Sequence, residues 1–138
     1  DLVRDYIFDL DRMVAFEGDT GPYLQYAYAR IQSITRKGGD DGQDAALHIS
    51  HLEERLLILC LMKWNNVVHS ASDNLEPHRI ATYLRSLAAA FNAFYQACPV
   101  LKASSAELRR SRLRLADLTG RVLADGLDLL GIGSPSRM

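Results

Sequence analysis

Few cysteines, no long apolar run and almost no net charge limit what this 138-residue chain can be. Its longest apolar run, LLILCLM at 56–62, is far shorter than the roughly 20 residues that cross a bilayer, and no secretory signal pattern stands at the N-terminus. We therefore expect no membrane association and a cytoplasmic location. Because the formal net charge is −1, a polyanionic partner would have to meet a local basic patch rather than the whole surface.

Motifs for catalysis, metal binding and redox chemistry are also missing. The glycine-rich stretch KGGDDGQD at 37–44, predicted to be a flexible loop, follows no strand and lacks the lysine and hydroxyl that a phosphate-binding loop uses. His48 and His51 are spaced to share a face, but neither cysteine has ligand spacing to them. Cys60 and Cys98 lie in apolar helical patterns, where a free buried thiol is the usual outcome. No local Ser, His and Asp motif is present, so we expect no catalytic residue and no metal site.

Apolar residues recur at helical spacing nearly everywhere, and strict alternation over four or more residues is scarce. With 48% hydrophobic residues, the chain can bury the core of a single domain. The pattern predicts an all-α fold, an antiparallel bundle of about five or six helices. The predicted helices cover 5–17, 22–37, 50–64, 65–72, 77–98 and 104–130.

Turn and capping residues define the predicted helix ends. The EGDTG turn at 17–21 is predicted to end the first helix, and Pro22, with Thr20 as a candidate cap, opens the second. The third and sixth helices begin with a serine followed by a glutamate three residues later, the reciprocal capping pattern. These pairs are Ser50 with Glu53 and Ser104 with Glu107.

Two apolar stripes are predicted to pack on each other as the core of the bundle. The fifth predicted helix contributes Ile80, Leu84, Leu87, Phe91, Phe94 and Cys98. The sixth contributes Leu108, Leu115, Leu118, Val122 and Leu129. Gly120 and Gly126 are predicted to weaken the second half of the sixth helix, because glycine disfavours helix interiors.

The second predicted helix carries three tyrosines and one arginine within a short span. At about 100° per residue its core side is formed by Leu24, Ala27, Tyr28 and Ile31. Tyr23, Tyr26 and Arg30 share a neighbouring stripe. In one interpretation the tyrosines line the core margin and Arg30 pairs with a carboxylate. In the other they form a platform on which unstacked RNA bases stack, with arginine contacting base edges or phosphate.

Arg110, Arg114 and Arg121 share the face of the sixth predicted helix that lies away from its leucines. Asp117 lies between them and is spaced to pair with Arg121 at i,i+4. The strip is therefore either a solvated ionic face or a surface that meets phosphate.

Three segments, in order along the chain, resemble a known family. They are YIFDLDRMVAFEGDTGPYLQYAYARIQSI at 6–34, LEPHRIATYLRSLAAAFNAFYQACPVL at 75–101 and GLDLLGIGSPSRM at 126–138. They look like the C-terminal part of arginyl-tRNA synthetases, class I enzymes whose last domain is a helical anticodon-binding bundle of the DALR type. The resemblance covers nearly the whole chain and is weakest over 36–74.

The resemblance implies that the bundle grips the anticodon stem-loop of the arginine tRNA and reads its central cytosine. The residues that match the family's RNA contacts are Tyr23, Tyr26, Arg30, Tyr83 and Met138. The tail PSRM at 135–138 would then fold back onto the anticodon pocket. Leu87 stands where the family often has an aromatic residue one turn after the last tyrosine. We add Arg110 and Arg114 to the predicted RNA contacts from their place on the sixth predicted helix.

The resemblance also implies what this chain does not do alone. The family's HIGH-like and KMSK-like catalytic sequences are absent, so the chain is expected to be inactive and to need no cofactor, whereas the full-length ligase uses ATP and Mg²⁺. Residues 1–21 resemble the connection from the catalytic domain, and residues 22–138 the anticodon-binding bundle. The chain begins at Asp1 and is expected to be part of a longer protein, a monomer in which the bundle contacts the catalytic domain.

The alternative hypothesis is a helical protein-interaction domain, or a diverged synthetase paralogue that does not charge tRNA. Both hypotheses predict the same fold, but they differ over the tyrosines. RNA binding requires the tyrosines at 23, 26 and 83 to lie exposed around one pocket with Arg30 and Met138. An interaction domain could bury them.

Overall fold

The computed structural model describes the backbone of residues 2–135 and the side chains of residues 20–135. This part of the chain contains five α-helices and no strand, which confirms the predicted all-α class. In chain order they are α1 (Leu2–Gly38), α2 (Leu52–Met62), α3 (Trp64–Asn74), α4 (His78–Ala97) and α5 (Ala106–Leu129). No helix within residues 2–135 combines the length and the apolar character needed to span a membrane.

A single helix, α1, replaces the two helices predicted on either side of Pro22, so the predicted break is wrong. A proline inside a helix forfeits one backbone hydrogen bond, and its ring crowds the carbonyl four residues earlier. Packing on both sides of the proline offsets this penalty, because Thr20 and Leu24 are both buried. Thr20, the predicted cap, lies inside the helix, and its hydroxyl has no hydrogen-bond partner among the described residues. The boundary predicted between residues 21 and 22 falls within α1 and stays a prediction.

Helix α4 lies at the centre of the bundle and contacts the other four helices. Its predicted apolar stripe is confirmed, because every member is buried. The core side predicted for residues 24–31 is confirmed too, with Leu24, Ala27 and Ile31 buried and Tyr28 packed against the core. Helix α1 packs against both α4 and α5, and these two helices together determine which of its residues face solvent.

The predicted stripe on α5 is only partly correct. Leu115 is buried, but Leu129 is exposed and the other predicted members are half-buried. The buried face of α5 also includes polar and small residues, among them Ser111, Arg112, Thr119, Gly120 and Gly126. The prediction from leucine spacing alone was therefore rotated about the helix axis relative to the face that is buried.

The two glycines predicted to weaken α5 lie where the helix approaches its neighbours. A Cβ atom at Gly120 would lie 3.0 Å from Cγ2 of Ile31, and one at Gly126 would lie 2.6 Å from a methyl carbon of Leu84. A side chain at Gly126 would require Leu84 to move, and one at Gly120 would crowd Ile31. The glycines therefore let α5 pack closely on α1 and α4, and the helix continues through both.

The start of α2 differs from the predicted capping box. The helix begins at Leu52 with His51 as its N-cap, and Ser50 donates from its backbone nitrogen to Glu54 Oε1 at 3.3 Å. Glu54 is fully buried and pairs through Oε2 with Arg112 Nε of α5 at 3.3 Å. A buried carboxylate needs such compensation, because removing it from water carries a large desolvation penalty. The glutamate that stabilises this helix start is thus the one after the predicted Glu53.

Candidate nucleic-acid interface

Helix α1 presents two tyrosines and one arginine to solvent along one stripe. The exposed fraction is 38% for Tyr23 and 61% for Tyr26, and Arg30 is exposed as well. The residues that alternate with them face the core, so the stripe runs along the margin of the buried face. These three side chains are therefore accessible to a ligand while their backbone is held by packing.

Two side chains of α4 contact this stripe. Asn92 Nδ2 donates to the Tyr23 hydroxyl at 3.2 Å. The guanidinium carbon of Arg30 lies 5.1 Å from the centroid of the Tyr95 ring, within the range of a cation–π contact. Because the earlier residue of α1 meets the earlier residue of α4, the two helices run in the same direction. We call Tyr23, Tyr26, Arg30, Asn92 and Tyr95 the α1–α4 face.

The α1–α4 face combines flat rings with a positive charge. Exposed phenol rings can stack on nucleobases, and a guanidinium donates hydrogen bonds to phosphate oxygens or to base edges. Arg30 has no carboxylate partner within residues 20–135, so the ion pair of the first interpretation is not found there. The arrangement suits a ligand that is both planar and polar or anionic.

Tyr83 does not belong to the α1–α4 face, and the expectation that it lies exposed in one pocket with the α1 tyrosines is wrong. The side chain is only 7% exposed. Its hydroxyl donates to the Cys60 carbonyl at 2.8 Å, and its ring stacks on Trp64 with 5.5 Å between the ring centroids. Tyr83 and Asn92 are nine residues apart, which at about 100° per residue places them on opposite sides of α4. Packing against α2 and α3 therefore withdraws Tyr83 from the surface.

A cleft of about 570 Å³ between α3 and α4 borders the Tyr83 ring. Lys63 and Arg79 also line it, and Arg79 forms an ion pair with Glu76. Burial, followed by the contact with Cys60, raises the pKa of the Tyr83 phenol well above its usual range. A ligand that reached Tyr83 would enter this cleft, away from the α1–α4 face.

Leu87 lies one turn after Tyr83 and is fully buried in the core. A side chain without access to solvent cannot stack on a bound base. The position where the family often has an aromatic residue is therefore a core position in this chain.

The chain after α5 returns to α1 at the residue before Tyr26. Gln25 Nε2 donates to the Gly133 carbonyl at 2.9 Å, and Leu130 and Ile132 pack against the core. The predicted return of PSRM at 135–138 to the anticodon pocket stays a prediction. Met138 and the two residues before it lie outside the described residues.

The three arginines on the outer face of α5 have different partners. Arg121 Nε pairs with Asp117 Oδ2 at 3.0 Å, which confirms the predicted i,i+4 pair. Arg114 Nη1 lies 3.4 Å from Asp44 Oδ1 of the loop that follows α1. Arg110 is exposed and has no ionic partner among the described residues. Within residues 20–135, Arg110 is thus the member of this strip that offers an uncompensated charge.

The loop after α1, predicted to be flexible, lies against α5. A Cβ atom at Gly42 would lie 2.7 Å from Leu113 Cβ, so the backbone there is in close contact with α5. Asp41 pairs with Arg109, and Asp44 pairs with Arg114. Loop carboxylates therefore compete with any phosphate for these two arginines.

The residues that could have bound metal have other contacts. His48 Nε2 pairs with Glu107 Oε1 at 2.6 Å, and His51 caps α2. Cys60 is a half-buried free thiol and Cys98 a buried one, and burial raises the pKa of both. Across residues 20–135, no group of three or more His, Cys, Asp or Glu side chains is arranged to hold a metal ion.

Sequence reasoning missed Asn92 and Tyr95. Both lie at the edge of the buried α4 stripe, beside Phe91 and Phe94. The available signal was a polar or amphipathic side chain at a helix position that adjoins the core without belonging to it. Which neighbour such a residue meets depends on the packing of α1 against α4, which the sequence pattern alone does not fix.

Comparison with known proteins links this geometry to one family. The model of the DALR anticodon binding domain matches residues 24–138. The arginine–tRNA ligase of Thermobifida fusca is 52% identical over 136 residues, which cover 97% of this chain and 24% of that protein. The arginine–tRNA ligase of Frankia casuarinae is 53% identical over 137 residues, covering 98% and 23%. The chain thus spans about a quarter of the length of these curated relatives.

Solved structures give the same result. The arginyl-tRNA synthetase of Thermus thermophilus superposes with a TM-score of 0.79 at 45% identity, over 89% of this chain and 22% of that one. The enzyme from Plasmodium falciparum superposes with a TM-score of 0.76 at 31% identity, again over 89% and 22%.

Proposed function

Because this chain belongs to the DALR anticodon-binding domain family, we propose that it binds the anticodon stem-loop of an arginine tRNA as part of an arginine–tRNA ligase. The observation that carries this proposal is the α1–α4 face, where exposed Tyr23 and Tyr26 share one stripe of α1 with Arg30. An anticodon loop displays unpaired bases, which proteins bind by aromatic stacking and by hydrogen bonds to base edges.

The physical chemistry of the α1–α4 face fits this ligand. Tyr26, with 61% of its side chain exposed, offers the largest free ring surface, and a stacked base contributes about 1 to 3 kcal/mol. Arg30 supplies the positive charge that an overall charge of −1 does not. Gly133, four residues after the end of α5, accepts a hydrogen bond from Gln25, which adjoins Tyr26 on α1. These contacts support a loop-binding surface along residues 23–30 of α1.

Charging of tRNA belongs to the whole ligase in this proposal. The full-length enzyme attaches arginine using ATP and Mg²⁺, and the rest of the same polypeptide is the structural partner of the bundle. The 138-residue chain lacks the HIGH-like and KMSK-like sequences and acts as a monomeric recognition module. Arginine-dependent pyrophosphate exchange measured with the chain alone is expected to stay at background, and turnover above background would contradict this assignment.

One observation favours a second function, a helical protein-interaction domain. Helix α2 exposes an apolar stripe along one side, consisting of Leu52, Leu56, Leu59 and Met62. Large exposed apolar patches often mark protein contacts. This stripe and the burial of Tyr83 are also expected for a diverged synthetase paralogue that does not bind tRNA.

A titration separates the two functions. The chain is titrated with a fluorescent anticodon stem-loop of arginine tRNA and with a loop in which the central cytosine is replaced. We expect saturable binding of the first loop and weaker binding of the second. Equal affinity for both loops would remove the proposed base recognition, and no binding of either would favour the interaction domain.

A further inference from the structure

Arg30 stands on a column of aromatic rings that begins in the core. Phe91 is fully buried, and its ring stacks with that of Tyr95 at 6.1 Å between centroids and 17° between planes. The Arg30 guanidinium carbon lies over the Tyr95 ring, 5.1 Å from its centroid. The position of the arginine head group is therefore coupled to a ring that packs on the centre of the bundle.

Such a support matters because arginine is a long side chain. An unsupported arginine loses much of its rotamer freedom when it binds a ligand, and that loss weakens binding. A guanidinium that stacks flat on a ring keeps its N–H groups available to donate in its own plane. Within residues 20–135 no carboxylate occupies those donors.

Asn92 of α4 likewise supports Tyr23, in this case through a hydrogen bond. Its side-chain amide donates to the Tyr23 hydroxyl at 3.2 Å, one turn before Tyr95 on the same helix. Two residues of α4 thus contact two of the three α1 residues predicted to touch RNA. The third, Tyr26, is 61% exposed.

We propose that Tyr95 is a positioning residue for RNA binding, which holds the Arg30 guanidinium in its binding orientation without touching the RNA itself. This inference rests on the proposed function and deepens it, because it assigns a role in RNA binding to Tyr95, a residue of α4 that the sequence pattern did not indicate. Asn92 plays the corresponding role for Tyr23. In the α1–α4 face, the side chains of α1 contact the ligand, and the side chains of α4 hold them in their binding orientations.

A double-mutant cycle tests this role. Tyr95→Leu removes the ring, Tyr95→Phe keeps it, and Arg30→Met removes the guanidinium while keeping a long apolar side chain. Affinity for the arginine anticodon stem-loop is measured by fluorescence anisotropy for each variant and for Tyr95→Leu combined with Arg30→Met. We expect Tyr95→Leu to weaken binding about threefold to tenfold, as loss of a cation–π contact allows. Tyr95→Phe should stay within about twofold of wild type, and Tyr95→Leu should add nothing once Arg30 is methionine.

The contradicting outcomes are distinct. If Tyr95→Leu weakens binding equally in the presence and absence of Arg30, Tyr95 acts on RNA or on the fold directly and the proposal is wrong. If Arg30→Met weakens binding but Tyr95→Leu does not, the proposal is also wrong, although RNA binding by the face stands. Failure of wild type to bind would instead overturn the proposed function.

A measurement without RNA keeps the inference testable if Tyr95→Leu does not fold. In the free protein, the ring current of residue 95 should shift the Arg30 Hε resonance, and Tyr95→Phe should preserve that shift. An unshifted Arg30 Hε resonance in both wild type and Tyr95→Phe would show that the guanidinium does not rest on the ring.

Discussion

Tyr26 is the most exposed aromatic side chain among residues 20–135, at 61%. An exposed ring of this size contributes little to folding, since its apolar surface stays in water. The exposed Tyr26 ring is therefore better placed to bind a ligand than to stabilise the fold. The Tyr26 side chain can therefore be truncated with little effect on the fold.

We predict that Tyr26→Ala weakens binding of the anticodon stem-loop by about 1 to 3 kcal/mol, because one stacked base is lost. The free energy of unfolding should change by less than about 0.5 kcal/mol, as for other surface substitutions. Leu56→Ala is the matched control, since it truncates a half-exposed side chain of α2 to the same residue. Comparable RNA affinity for Tyr26→Ala and Leu56→Ala would argue against stacking on Tyr26.

Tyr83 behaves in the opposite way, because its hydroxyl is directed into the protein. We predict that Tyr83→Phe destabilises the fold by about 1 kcal/mol through the lost hydrogen bond to the Cys60 carbonyl. Its effect on RNA affinity should be small. Urea unfolding and stem-loop titration of the same sample measure both quantities, and a large loss of affinity with unchanged stability would contradict the structure.

The same residue predicts a dependence on pH. The folded-state pKa of Tyr83 is raised above its unfolded value, so its contribution to stability is fully present below about pH 10 and is lost as the pH rises further. Wild-type stability should therefore fall more steeply than that of Tyr83→Phe between neutral and strongly alkaline pH. Parallel stability curves for the two proteins would exclude this linkage.

At the scale of secondary-structure elements, α5 and the loop that follows α1 set how much positive charge is available. Arg110 has no ionic partner among the described residues, whereas Arg121 pairs with Asp117. We predict that Arg110→Ala lowers the slope of log affinity against log salt by about one unit, the amount expected for one phosphate contact. Arg121→Ala, the control, should leave the slope unchanged. Identical slopes for both variants would assign Arg110 to solvent.

Asp44 competes with phosphate for Arg114 in this account. We predict that Asp44→Asn tightens stem-loop binding about twofold to fivefold, the range that corresponds to one surface ion pair. Asp40→Asn removes the same charge from the same loop, and Asp40 has no ionic partner within residues 20–135. Equal gains for the two variants would mean that net charge, rather than release of Arg114, is responsible.

The elements themselves show how far sequence patterns reach. The α4 stripe was predicted correctly because large apolar residues repeat there at regular helical spacing. The buried face of α5 was misplaced because Ser111, Thr119 and Gly120 belong to it and carry no hydrophobic signal. The break at Pro22 was predicted from a local penalty that tertiary packing offsets. Local sequence patterns therefore predict where helices form, whereas tertiary packing determines where they end and which face is buried.

The sequence predicted only part of the candidate site. The exposed stripe of Tyr23, Tyr26 and Arg30 followed from the angles of one helix. The burial of Tyr83 did not, because it depends on contacts with α2 and α3 that are distant in sequence. Tyr95 was missed for the same reason, since its partner Arg30 lies on another helix.

At the scale of the whole molecule, the bundle presents two different surfaces. The α1–α4 face carries rings and a free guanidinium, and α2 carries the apolar stripe of leucines and Met62. Because α4 separates α1 from α2 and α3, the two surfaces face different directions. The proposed RNA contact at the α1–α4 face and a protein contact at α2 therefore do not exclude each other.

The most direct measurement maps where RNA binds on the isotope-labelled chain. Backbone amide resonances are followed by NMR while the arginine anticodon stem-loop is added. We predict that the largest shifts fall on residues 22–30 and 91–96, with small changes along α2. Shifts concentrated on α2, or spread evenly over the bundle with none at Tyr26, Arg30 and Tyr95, would contradict the account.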